Sequence, residues 1–73
     1  MMENIVQESI GERLRKLRGR LVMTQKELSI SSQVPLPTIK DIERGATSIP
    51  RVNTIRALAS ALNVSASYLR NGE

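Results

Sequence analysis

Apolar residues recur along this chain at intervals of three and four, the period at which one stripe of an α-helix faces a core. Ile10, Leu14, Leu17 and Leu21 predict a first helix over about residues 10–21, opened by Ser9 and Glu12 as a capping box. Gly19 weakens its C-terminal end. Thr24 and Glu27 repeat the capping pattern, so a second helix starts at Gln25. It runs for about two turns, because Ser31, Ser32 and Gln33 are weak helix formers and Pro35 has no N–H to donate. A third helix begins near Leu36, with Ile39 and Ile42 as its apolar side and Leu36 at the edge of that stripe. At about 100° per residue, Pro37, Lys40, Asp41 and Arg44 fall together on the opposite, outward side. Gly45 stands where a left-handed residue closes a helix.

Pro50 biases Ile49 away from helix, and Val52, Ile55, Leu58, Ala59 and Leu62 then predict a fourth helix from about Arg51 or Asn53 to Leu62. Asn63 suits a left-handed helix end, and Ser65 suits the cap of a short last helix carrying Ala66, Tyr68 and Leu69. The expected fold is all-α. Its domain covers residues 10–70, preceded by a tail or helical extension over 1–9, where Ile5 and Val6 are available to pack, and followed by a tail over 71–73. The short segment from Gln33 to Pro35 between the second and third helices matches a helix-turn-helix unit.

Composition narrows the chemistry. The 73 residues contain no cysteine and no histidine, which removes disulfides, thiolate metal sites and the commonest general base. No metal-ligand cluster, glycine-rich phosphate loop or nucleophile paired with a base is present, so neither catalysis nor a cofactor is expected. No run approaches the roughly 20 apolar residues of a membrane span, and the N-terminus lacks the order of a signal peptide, so a cytoplasmic location is expected. The net charge is +4, but between Arg13 and Arg56 there are ten Lys or Arg against three acids, Glu27, Asp41 and Glu43. Such a field favours a polyanion partner; the bland alternative is a solvated surface. The first helix alone carries Arg13, Arg15, Lys16, Arg18 and Arg20, and five cations on one helix are expected to be a solvated face.

Five pieces now stand in a specific order: TQKELS at Thr24 to Ser29, V-x-x-x-T-I at Val34 to Ile39, IERG at Ile42 to Gly45, Pro50, and LASALNVS at Leu58 to Ser65. Together they resemble the phage-repressor type of helix-turn-helix, the Cro-like or Xre-like family, over about residues 10–69. The resemblance implies a five-helix, lambda-repressor-like domain whose third helix lies in the DNA major groove while the second crosses the backbone. It places Thr24 and Gln25 at the start of the second helix, with Gln25 reaching a phosphate and bracing the reading helix. Pro35, Leu36, Pro37 and Asp41 fall where the family contacts bases, and Lys40 and Arg44 are their backbone or base neighbours. Arg51 falls near a narrow minor groove, and Arg18 is implied as the partner of Glu43. Gln33 replaces a frequent glycine, so a residue with a Cβ is expected at positive φ. The Pro-Leu-Pro tip offers bases no side-chain hydrogen bond and is limited to contacts such as thymine methyl groups.

The implied function is that of a sequence-selective regulator binding double-stranded DNA, a phage or bacterial repressor. The implied partner is a two-fold operator bound by a homodimer that pairs through Val64, Tyr68 and Leu69 around the fifth helix. The alternative is a module that kept this fold but binds a protein partner, in a toxin-antitoxin or antirepressor setting, for which the apolar Pro35-Leu36-Pro37 tip, Ile30 and Ile49 are the candidate contacts.

Overall fold

The computed structural model describes residues 8–47 and 49–73. Among these described residues five helices follow one another: α1 (Ile10–Arg20), α2 (Gln25–Ser32), α3 (Leu36–Glu43), α4 (Val52–Ala61) and α5 (Ala66–Asn71). The expected N-terminal tail falls, except for Glu8 and Ser9, outside the described residues. No helix among the described residues is long and apolar enough to cross a membrane.

Both capping boxes form. The Ser9 and Thr24 hydroxyls accept the Glu12 and Glu27 N–H groups at 3.1 and 3.0 Å, and each glutamate accepts the cap's own N–H in return. Three helices end in the same way. The N–H groups of Met23, Ala46 and Val64 reach back to the carbonyls of Arg18, Asp41 and Ala59, the long hydrogen bond of a Schellman motif. This geometry puts the preceding residue in the left-handed region: Gly45 at φ 84°, Asn63 at 62° and, unusually, Val22 at 53°. Gln33 is also left-handed, at φ 64°, and closes α2. A β-branched side chain is badly suited to that conformation, and Val22, 87% exposed, gains nothing from burial in return. Val22→Gly is therefore expected to stabilise the domain by about 1 kcal/mol, the strain relief being partly offset by the entropy of the freer unfolded chain. A urea denaturation midpoint that is unmoved or lowered would count against this.

The core is one apolar cluster drawn from all five helices, with Leu14, Leu28, Ile39, Ile42, Leu58 and Leu69 fully buried. Each such side chain contributes about 1.5–3 kcal/mol by leaving water. α1 packs on α3 and α5, α2 on α3 and α4, and α4 on α5. Gly11 allows the first of these contacts, since a Cβ there would collide with the Ile42 carbonyl oxygen. Leu69 is thus a core residue rather than part of a pairing surface, and only Val64 and Tyr68 of the expected trio are partly exposed. Its helical stripe is too short to tell inside from outside.

The solvated-face expectation for α1 fails at two positions. Arg13 is buried, and its guanidinium donates to the carbonyls of Leu69 and Arg70, both at 2.8 Å, and of Glu8 at 3.1 Å. It caps the C-terminus of α5, where orphan carbonyls and the helix dipole both favour a cation. Arg18 is the second, described below. Arg15 and Arg20 are exposed, and Lys16 is exposed beside the Glu8 carboxylate. The Lys16 hydrogen bond holds the Glu8 carboxyl below its ordinary range.

Candidate nucleic-acid interface

The α2–α3 pair is held by polar contacts at both ends. At the turn, the Ser29 hydroxyl donates to the Val34 carbonyl at 2.6 Å and the Ser32 hydroxyl to the Leu28 carbonyl at 2.7 Å. The Val34 side chain, buried between them, anchors the turn to the core. At the far end, Glu43 in the last turn of α3 accepts from Arg18 Nε at 2.7 Å and from a terminal Arg18 nitrogen at 2.9 Å, a two-pronged pair. The Gln25 amide adds a third donor at 3.1 Å, and the remaining Arg18 nitrogen donates to the Met23 carbonyl at 2.8 Å. The pair is largely out of water, with 17% of the Arg18 side chain and 5% of the Glu43 side chain exposed. The hydrogen bond to Glu43 raises the Arg18 pKa above its ordinary value. A raised cation contributes stability below its unfolded pKa and loses it only as pH climbs through the folded one, so this pair withstands any but extreme alkali.

With its inner side buried and its end clamped, α3 presents the outward face: Pro37, Lys40 and Arg44 are exposed and Asp41 is half-buried. Asp41 is not free along this face. Its Oδ1 accepts from Arg44 Nε at 3.2 Å and from a terminal Arg44 nitrogen at 2.8 Å. At the start of α3, Pro35 is the N-cap and gives no side-chain hydrogen bond, and Leu36 is half-buried. Thr24 is exposed at the start of α2, and Gln25 beside it is turned toward Glu43. Arg51 is the exposed N-cap of α4. It shares with Thr38 of α3 a depression of about 350 Å³ that also includes Thr47, Ile49, Pro50 and Thr54. Thr38 belongs to the V-x-x-x-T-I piece of the sequence, whereas Thr47 and Thr54 carry no signal there, since an isolated threonine has none. Among the described residues, no group of His, Cys, Asp or Glu is arranged to hold a metal ion.

Set beside known proteins, residues 9–70 match the helix-turn-helix domain. The chain belongs to that family. In sequence it is 40% identical over 57 residues to the transcriptional repressor RghR of Bacillus subtilis, covering 78% of this chain and 42% of RghR. It is 34% identical over 61 residues to the transcriptional regulator DdrOP3 of Deinococcus deserti, covering 84% of this chain and 46% of that protein. The helix-turn-helix chain thus spans less than half the length of these curated relatives. In structure it is similar to the P22 c2 repressor crystallised with a synthetic operator, with a TM-score of 0.82 and 33% identity, covering 90% of this chain and 98% of that one.

Proposed function

We propose that this helix-turn-helix domain binds double-stranded DNA sequence-selectively as the DNA-binding part of a transcriptional regulator, a repressor of phage or bacterial type. The observation that carries this reading is the clamped α3, whose outward face of Pro37, Lys40, Asp41 and Arg44 is presented with the opposite face buried. A helix fixed on one side and bare on the other fits the major groove. The similarity to a repressor crystallised with an operator, and to regulators from two bacteria, supports it. Thr24 and Gln25 then meet the backbone, Pro35, Leu36, Pro37 and Asp41 face base edges, and Lys40, Arg44 and Arg51 bring positive charge to the phosphates. One reading helix covers only a few base pairs, so two copies on a two-fold operator supply the site size, with Val64 and Tyr68 on the candidate pairing side.

Selection of bound duplexes from a random library tests the reading directly. On the selected site, Arg51→Ala is expected to weaken binding to all duplexes and to lower the slope of log K against log salt by about one unit. Arg44→Ala is expected to cost more, because it removes a cation and also uncovers the Asp41 carboxylate it pairs with. Anisotropy titrations at several salt concentrations read both. Unchanged affinity in both variants would remove this docking.

The second reading, a protein partner, is favoured by Ile30 and Ile49, which are 70% and 78% exposed. Binding through such apolar contacts would show little salt dependence, in contrast to the steep loss expected for phosphate contacts.

A further inference from the structure

The outward face of α3 is cationic at Lys40 and Arg44, yet it carries a carboxylate, Asp41, while the other acid of the helix, Glu43, is turned to Arg18 and Gln25. A negative charge on that face opposes the approach of any polyanion. Fold stability does not account for it. The Asp41 and Arg44 side chains are 43% and 69% exposed, and an ion pair so well hydrated contributes little to folding. A carboxylate that weakens attraction to every duplex is accounted for if it recognises a group that only some duplexes present.

Arg44 donates from Nε at 3.2 Å and from a terminal nitrogen at 2.8 Å, both to Oδ1, so Oδ2 receives no hydrogen bond among the described residues. The backbone beneath is fixed as well: the Asp41 carbonyl accepts the Ala46 and Thr47 N–H groups at 2.8 and 3.3 Å. Oδ2 is thus an open acceptor on a side chain held in place. Its neighbours impose less on a base. Pro37 has no polar side-chain atom, and the half-buried Thr38, on the side of the Arg51 depression, has a hydroxyl that both donates and accepts. Lys40 and Arg44 only donate, and phosphate oxygens satisfy them as well as bases do. A carboxylate only accepts, and in the major groove only the amino groups of cytosine and adenine donate. Adenine sets its N7 acceptor beside its amino group, guanine and thymine present acceptors, and the cytosine edge offers a donor alone.

We propose that Asp41 specifies cytosine at one base pair of the bound site, its Oδ2 accepting from the N4 amino group while Arg44, as a positioning residue, holds Oδ1 and offsets its charge; this rests on the DNA-binding reading above and adds to it the base and the atom. Opposite any other base Oδ2 loses water and meets an acceptor. Asp41 therefore acts as much by excluding wrong sites as by favouring the right one.

The test repeats the random-library selection with the parent chain, Asp41→Asn, Asp41→Ala and Arg44→Lys. The parent is expected to select cytosine at a position where Asp41→Asn selects adenine, whose N6 and N7 fit an amide, and where Asp41→Ala selects no base. Asp41→Ala should also bind unrelated duplexes more tightly, having lost a charge that repels phosphate. In anisotropy titrations at one salt concentration, replacing that cytosine by 2-pyrimidinone, which lacks only the amino group, is expected to weaken the parent about 10- to 100-fold and Asp41→Ala far less. Arg44→Lys keeps the charge and should keep the salt slope, but it should lose part of the cytosine preference, because an ammonium group cannot hold Oδ1 as two guanidinium N–H groups do. Selective, salt-dependent binding in which both Asp41 variants choose the same bases as the parent overturns cytosine reading alone. So does a 2-pyrimidinone effect of equal size in the parent and Asp41→Ala. A cytosine preference undiminished in Arg44→Lys overturns the positioning role of Arg44. Absence of salt-dependent duplex binding overturns this proposal and the DNA-binding reading together.

Discussion

Glu43→Ala is expected to destabilise the domain by about 3–5 kcal/mol, among the largest effects available to any single change here. The carboxylate is the shared acceptor of Arg18 and Gln25, and its loss leaves the Arg18 guanidinium mostly out of water with only the Met23 carbonyl. An uncompensated cation at such a site costs far more than the pair itself contributes. Removing both partners, as in Arg18→Met with Glu43→Leu, should therefore cost less than Glu43→Ala alone. The double-mutant cycle, read from urea denaturation of all four proteins, isolates that coupling. A single-variant cost below about 1 kcal/mol would place the pair with exposed surface bridges, which contribute ~0–1 kcal/mol.

Arg13→Met should have a comparable effect, about 3–5 kcal/mol, for a different reason. Methionine keeps the buried apolar stem but removes three charge-assisted donors, leaving the Leu69 and Arg70 carbonyls without their partner. α5 has six residues, too few to persist as a helix without tertiary support. Its amides should lose protection from hydrogen exchange before the rest of the fold does. Arg13→Lys should not rescue the loss, because an ammonium group cannot span two carbonyls as the planar fork does. Full recovery with lysine, or a cost under about 1 kcal/mol for methionine, would show that Arg13 is held there by packing alone.

Much of the architecture was legible because the signals are local. Ser9 with Glu12 and Thr24 with Glu27 announce helix starts within four residues, Gly45 and Asn63 announce ends, and the apolar stripes of α1, α3 and α4 assign their inner faces except at Leu21 and Val52, which lie exposed at the end of α1 and the start of α4. The outward face of α3 follows from the same periodicity. Arg13 was not legible, since two of its three acceptors lie 56 and 57 positions away and nothing in an arginine reveals whether it will meet water or a carbonyl. Val22 hid for a related reason: the left-handed conformation is imposed by how α1 ends, against the preference of its side chain. The Arg18–Glu43 contact was implied by family resemblance and by an acid placed at the unfavourable end of a helix; the charges alone name no partner.

The close approach at Gly11 bears on binding itself. α1 touches the C-terminal end of α3 at two places: near its own start, where Gly11 lies against the Ile42 carbonyl, and near its own end, where Arg18 grips Glu43. Together with the buried Ile39 and Ile42 and the Ser29–Val34 contact at the turn, these contacts fix the pitch of α3 as bolts fix a bracket. The orientation a reading helix needs is therefore set during folding rather than at the moment of contact, and little rotational freedom remains to be lost when a partner arrives.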